Sequence, residues 1–285
     1  MYNSYGVRTF RFTYPDGWFF TVATDPFCIE VQTKPATAKD LGKMRARIQR
    51  DIFQSAAEVG ITPYANVGGG HIHMGINSGF EGNPTLFRNF VADYANHSEF
   101  NFGVMDNDHD NGPVIQELNS KQRRQFKQLL ADFDAGYIPT IAEFAERMEY
   151  EVYYKTNRFW APAYKYHALN VHRAFSEDFR PSERTVEMRA HRAQQSAQEF
   201  VDLAKMYQAR LDFLERQENK VIPFQDVVPI ARQSIINAYA TYLQECGLDY
   251  EKYRPYLDEA LQSYDQTRSK PTKLKSVCNA LLLSA

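Results

Sequence analysis

Cysteine is scarce and scattered. The 285 residues hold only Cys28, Cys246 and Cys278, an odd number with no Cys-x-x-Cys pair, so neither a disulfide framework nor a thiolate zinc site is indicated. No run of about 18 apolar residues occurs, which removes the usual signal for a membrane-spanning helix. The opening Met1-Tyr2-Asn3-Ser4-Tyr5-Gly6 lacks a basic stretch followed by an apolar one, so no secretory leader is expected. Neither sign of charge dominates, with 33 basic residues against 35 acidic ones. That balance offers little to nucleic-acid phosphates or anionic lipid. Internal repeats and low-complexity tracts are missing as well. Together these absences predict a soluble, cytoplasmic protein with no membrane and no nucleic-acid partner, and they leave homo-oligomerisation open. Aromatic side chains, by contrast, are plentiful: 20 Phe and 18 Tyr suit a packed core rather than disorder.

Residues 7–33 read as strands. Val7 to Tyr14 is rich in β-branched and aromatic residues, Pro15-Asp16-Gly17 is a turn signal, and Trp18 to Ala23 returns. In the third run, period 2 places Cys28, Glu30 and Gln32 on one face and Phe27, Ile29 and Val31 on the other. Helical spacing then takes over from Ala38 to Val59, through Leu41, Met44, Ile48, Ile52 and Val59. Asn83-Pro84 reads as a helix cap with proline at the first position. Helices are predicted over 117–133 and 138–150, and strand character returns at 166–171 and 184–190. From Ala197 onward the pattern is helical, with one stripe through Phe200, Leu203, Tyr207, Leu211 and Leu214, a second from Ile230 to Cys246, and Pro223 and Pro229 between them. Strands and helices do not alternate strictly, so an antiparallel α+β sheet is favoured over a doubly wound one.

Chemistry concentrates in a few predicted strands. Gly68-Gly69-Gly70-His71-Ile72-His73-Met74-Gly75 joins a glycine turn to two imidazoles that share a strand face, with Ile72 turned the other way. Two imidazoles beside a bare backbone suit a metal ion and a phosphate-bearing ligand, and equally suit two half-buried packing histidines. Glu187-Met188-Arg189 puts a carboxylate and a guanidinium on one face, with Val186 and Met188 opposite. Magnesium takes one or two carboxylates plus waters and phosphates, and a guanidinium clamps phosphate or carboxylate. A solvated ion pair fits the same spacing. His191 shares strand parity with Glu187 and Arg189, His167 and His172 flank Asn170, and His97 ends a helix. The Asp106, Asp108 and Asp110 cluster lacks the spaced glycine and terminal glutamate of an EF-hand and reads as a solvated turn.

Four blocks taken in order resemble the amidoligases, a branch of the glutamine-synthetase-like carboxylate–amine ligases. Asp25 to Pro35 looks like that family's acidic strand ending in Thr-x-Pro. Gly69 to Gly75 is similar to its glycine–histidine strand, Tyr166-His167-Ala168-Leu169-Asn170 to its Tyr-x-x-x-Asn strand, and Arg184 to Arg189 to its Thr-x-Glu-x-Arg strand. The resemblance covers roughly residues 25–190. It implies a glutamine-synthetase-like curved, mainly antiparallel sheet flanked by helices, with a catalytic domain at 1–196 and a helical region at 197–285 packed on it. ATP and Mg2+ (or Mn2+) would be the cofactors, and the partners would be small-molecule, peptide or protein carboxylates and amines. By motif position, Glu30, His71 and Glu187 would hold metal; Gly69, Gly70, His73, Asn170 and Arg189 would meet the nucleotide or substrate; and Arg189 and Glu30 would serve catalysis. The implied reaction is amide or isopeptide bond formation through an acyl phosphate.

One departure stands out. The family's opening strand carries Glu-x-Glu, whereas Gly6 to Phe12 here presents Arg8 and Arg11. Two other readings therefore compete with the ligase: a non-catalytic binding or structural protein on the same fold, and a metal-dependent hydrolase. The hydrolase barrels that begin with His-x-His need regular βα units, which this chain does not show.

Overall fold

β-branched and aromatic residues in short runs separated by tight turns pair with their sequence neighbours first. In the computed structural model they form β1 (Thr9–Thr13), β2 (Phe19–Asp25) and β3 (Cys28–Thr33), an antiparallel meander in the order β1-β2-β3. The residues described are 9–25, 28–63, 69–97, 115, 118–153, 167–217, 220–226 and 232–268. Arg8, Tyr166 and residues 105–113 with their three aspartates lie outside them. The predicted turn forms as read. Gly17 takes φ +77°, the left-handed conformation that glycine adopts without strain, and its N–H donates to the Tyr14 carbonyl at 2.9 Å.

The chain forms two compact units, each made of two stretches: 1–68 with 193–208, and 69–192 with 209–285. The expected boundary at 196/197 falls inside the 193–208 stretch. In the first unit, β1–β3 are joined by α1 (Ala38–Ile48), which is capped by the Thr37 side chain accepting from the Asp40 N–H. The helix continues through a π-helical segment, Gln49–Gln54, into α2 (Ser55–Glu58). Val59, predicted as the last residue of the apolar stripe, sits outside the helix and is exposed, because the chain turns at Gly60 with φ +77°. Trp18, Phe20, Leu41, Ile48, Ala197 and Val201 make the core of this unit. Burying these side chains supplies the main stabilising term, on the order of 25 cal/mol per Å2 of apolar surface.

The second unit is built around another antiparallel sheet, ordered β4-β6-β5, from β4 (Gly69–Gly75), β5 (Leu169–Asn170) and β6 (Thr185–Arg192). Between β4 and β5 come α3 (Ile76–Phe80), α4 (Pro84–Asn96), α5 (Ser120–Asp134) and α6 (Ile141–Arg147), the last running on into a second π-helical segment, Met148–Tyr153. The Asn83 side chain caps α4, accepting from the Thr85 and Leu86 N–H groups, and Pro84 occupies its first turn as predicted. Phe80, Phe87, Phe90 and Phe144 pack edge to face at 5.1 to 5.9 Å and fill the space between α3, α4 and α6. α7 (His172–Phe175) and a 3-10 turn (Pro181–Glu183) join β5 to β6. The C-terminal part has α8 (Ala197–Glu215), α9 (Arg232–Glu245) and α10 (Tyr250–Arg268). Residues 220–226 between α8 and α9 are non-helical, where proline punctuation was expected.

The architecture is thus mixed α and β with antiparallel sheets. The described strands form two separate three-stranded sheets where a single curved one was expected. The reason is local, because β1, β2 and β3 follow one another at hairpin spacing and satisfy each other's backbone groups.

Candidate active site

The β4-β6-β5 sheet carries seven of the eight candidate site residues, Gly69, Gly70, His71, His73, Asn170, Glu187 and Arg189. Its register aligns His73 with Glu187 and Glu187 with Asn170, so one row crosses all three strands. The next row is Ile72, Met188 and Leu169, and strand alternation turns it to the opposite side. Met188 and Leu169 are buried there, as is Val186, which anchors the sheet while its polar row faces away. Placing Glu187 on the central strand gives it neighbours on both sides.

Those neighbours surround its carboxylate. Arg189 Nη1 donates to Oε1 at 2.6 Å and Asn170 Nδ2 donates to Oε2 at 2.7 Å. His71 Nδ1 lies 3.2 Å from Oε1 and His73 Nε2 lies 3.8 Å from the same oxygen. His73 Nδ1 is in turn 3.1 Å from Thr185 Oγ1. Glu187 is 5% exposed, while the two imidazoles keep about a third of their side-chain surface open, 32% for His71 and 37% for His73. Burial alone would push the Glu187 carboxyl up. Arg189, His73, His71 and the Asn170 amide outweigh it and hold the group below its ordinary value, so it is a carboxylate at neutral pH.

Gly69 lies close to the first histidine: a Cβ there would stand 3.4 Å from His71 Nε2, in van der Waals contact with the imidazole. Opposite His71 the register slips: Gly70 pairs with His191 but Ile72 pairs with Met188, so Arg189 and Ala190 together face one residue of β4. This β-bulge means that strand parity counted from Glu187 does not extend to His191. His191 is buried, and burial, with the neighbouring His71 charge, pushes its imidazole down to about 3, which keeps it neutral.

Glu30 stands on β3, in the other unit. Its carboxylate accepts from Gln32 Nε2 at 3.0 Å, and the pair is exposed. Glu30 and Gln32 share a face as parity required, opposite Ile29 and Val31. Arg11 lies over the Phe19 ring at 4.0 Å. Among the described residues, no group of three or more His, Cys, Asp or Glu side chains is arranged to hold a metal ion. Nor is any helix of those residues long and apolar enough to cross a membrane.

Several buried polar groups are not evident from sequence. Glu149, on the second π-helical segment, is 4% exposed and accepts from or pairs with His172. Arg210 binds the buried Asp93 through Nε at 2.8 Å and also through Nη2, and it reaches Glu245 Oε2 at 2.6 Å. Arg88 holds Asp134 through two nitrogens at 2.9 and 2.7 Å. The pattern offered one faint cue: Asp93 stands between Ala92 and Tyr94, and Glu149 between Met148 and Tyr150. No protein-family model matches the chain, and neither a curated protein nor a solved structure matches it.

Proposed function

We propose that this protein is an ATP-dependent carboxylate–amine ligase of the amidoligase kind, on a glutamine-synthetase-like fold, joining an acid and an amine through an acyl phosphate. One observation carries the reading: an ionised carboxylate, two partly open imidazoles, a guanidinium and an amide meet on one sheet face around Glu187. A ligase of this type must handle the triphosphate of Mg-ATP, a carboxylate and the charge that moves between them, and such a cluster offers a group for each.

The donor set fits a cation that arrives with its nucleotide. Mg2+ usually draws only one or two ligands from protein and the rest from water and phosphate, so a preformed three-residue cage is not required. His71 and Glu187 would hold that cation, and the resemblance assigns Glu30 a metal role as well. His73 and the backbone at Gly69 and Gly70 would meet the phosphates. A carboxylate is a poor electrophile because its oxygen is a poor leaving group. Transferring the γ-phosphoryl group to that oxygen breaks the bond to ADP and converts the oxygen into part of a phosphate leaving group. Arg189 offsets the charge that spreads over the transferring oxygens. Asn170 orients Glu187 through Oε2 and keeps the carboxylate in the plane of the site.

Mg-ATP turnover tests the reading directly. ADP release that depends on both a carboxylate and an amine is expected, and His71→Ala and Glu187→Ala should each abolish it while the far-ultraviolet spectrum stays that of the parent. Parental turnover in either variant would overturn the assignment. Amide hydrolysis without nucleotide would point to the hydrolase, and nucleotide binding without turnover to a binding protein.

A further inference from the structure

The second unit holds another buried carboxylate–imidazole pair, which the ligase reading leaves unused. Glu149 lies on the π-helical segment Met148–Tyr153, and His172 opens α7 immediately after β5. His172 Nδ1 is 3.0 Å from one Glu149 carboxylate oxygen and 3.2 Å from the other. The Phe175 ring stands edge-on to the imidazole at 5.4 Å, which limits its swing. About a fifth of the His172 side chain is open, against 5% for Glu149. The pair is tied to the Glu187 cluster through one amide. Asn170 donates through Nδ2 to Glu187, and its Oδ1 accepts the His172 backbone N–H at 3.0 Å. A π-helical insertion next to such a pair fits the frequent placement of these segments at functional sites.

A carboxylate against Nδ1 favours the tautomer that carries its proton on that nitrogen, which puts the imidazole lone pair on Nε2. That is the arrangement of a base with an orienting acid. We propose that His172, oriented by Glu149, accepts the proton of the incoming amine. The inference rests on the ligase reading and adds the half-reaction that reading lacks. An amine is largely an ammonium ion at neutral pH and has no lone pair to use. Nε2 takes one N–H proton, and the freed lone pair forms the C–N bond at the acyl carbon. The C–O bond to phosphate then breaks with its electron pair, and the second N–H proton leaves with the phosphate. The imidazolium returns its proton to water. Glu149 is a positioning residue, acting only through the ring.

Hydroxylamine separates a base from a structural strut, because it is already unprotonated at neutral pH and needs no proton acceptor. ADP release would be measured with Mg-ATP and an equimolar mixture of N-acetylated amino acids as carboxylates, with ammonium chloride or hydroxylamine as the amine. His172→Gln should lower the ammonium-dependent rate by about 100-fold, the low end of general-base contributions, and leave the hydroxylamine rate within about threefold of the parent. Glu149→Gln, which keeps shape and loses charge, should show the same split with an unchanged KM for ATP. Equal losses with both amines, or no loss with ammonium in either variant, would overturn the proposal. If the unsubstituted protein releases no ADP with either amine, ligation of amino-acid carboxylates fails and this inference falls with it, an outcome visible before any variant is made.

Discussion

The two sheets are alike in size and sense, yet they treat charge in opposite ways. The β1-β2-β3 sheet and its helix put their ion pairs at the surface: Arg47 with Asp16, Lys43 with Asp40, and Arg50 with Asp51. Their core is aromatic and aliphatic. Around the β4-β6-β5 sheet, exposed pairs such as Arg180 with Glu183 are joined by charge placed inside, with Glu187 beside Arg189, Asp93 beside Arg210, Arg88 beside Asp134, and Glu149 beside His172. Burying a charge is costly unless a partner is fixed in place, so arrangements of this kind persist where something besides packing is needed. Glu30 and Glu187 bring the contrast down to two carboxylates. The first sits on an edge strand with one exposed amide as partner, while the second sits on a central strand with partners on both flanks.

The sharpest way to break the comparison is to remove one cation from each region. Arg210→Met would leave Asp93 buried beside His97 alone, and denaturant unfolding should show a loss of about 3–5 kcal/mol. Arg47→Met should leave the midpoint unchanged. Combining Arg210→Met with Asp93→Leu should recover much of the loss, because no buried carboxylate is then left without its cation, Glu245 being 38% exposed. Equal effects of the two arginines would erase the distinction.

Next in size is the pair of glutamates. Glu187→Gln removes the charge and one of the two acceptor oxygens that Arg189 and Asn170 share, setting an NH2 against a donor, and should cost about 1–3 kcal/mol in the same unfolding measurement. Glu30→Gln should cost nothing in stability. Under the ligase proposal it should nonetheless reduce Mg-ATP turnover by about 100-fold, the scale of losing one electrostatic contact in the site. Undiminished turnover would remove Glu30 from the site and leave Glu187 as its carboxylate.

Acid unfolding refines the contrast further. Burial would raise the Asp93 carboxyl, but Arg210 and His97 hold it below its ordinary 3.8. Since the folded value lies under the unfolded one, this contribution is complete above 3.8 and is lost as pH falls through the folded value. Urea midpoints followed from about pH 5 to pH 2 should therefore fall less steeply for Asp93→Asn than for the parent. The smallest effect belongs to the first sheet. Phe12 is 51% exposed but stacks on buried Phe20 at 5.0 Å, so Phe12→Thr should cost only about 0.5–1.5 kcal/mol by thermal unfolding.

Much of this could be read from the chain before any coordinates. The first three strands, the Asn83-Pro84 cap and the glycine–histidine strand follow from period, turn chemistry and capping, all of which act over a few residues. The meeting of His71, His73, Asn170, Glu187 and Arg189 follows from alternation once the strands pair. Two kinds of feature escaped. Asp93 and Arg210 are 117 positions apart and Glu149 and His172 are 23 apart, and nothing in local period announces such partners. His191 escaped for a different reason, since a single inserted residue in β6 shifts the alternation on which the reading of its face relied.

The bulge ties the length of β6 to its pairing. Excising Ala190 would erase it and set Arg189 alone opposite His71, with His191 still opposite Gly70, whereas excising Val186 or Met188 would exchange the two sides of the strand. Arg192, joined to Glu259 on α10 through two nitrogens, keeps its acceptor while that pairing holds. Lengthening the exposed Pro181–Glu183 turn would leave both the row through Glu187 and the grip on α10 untouched. Natural length variation in this part of the chain should therefore collect in the loop before β6 and spare the strand itself.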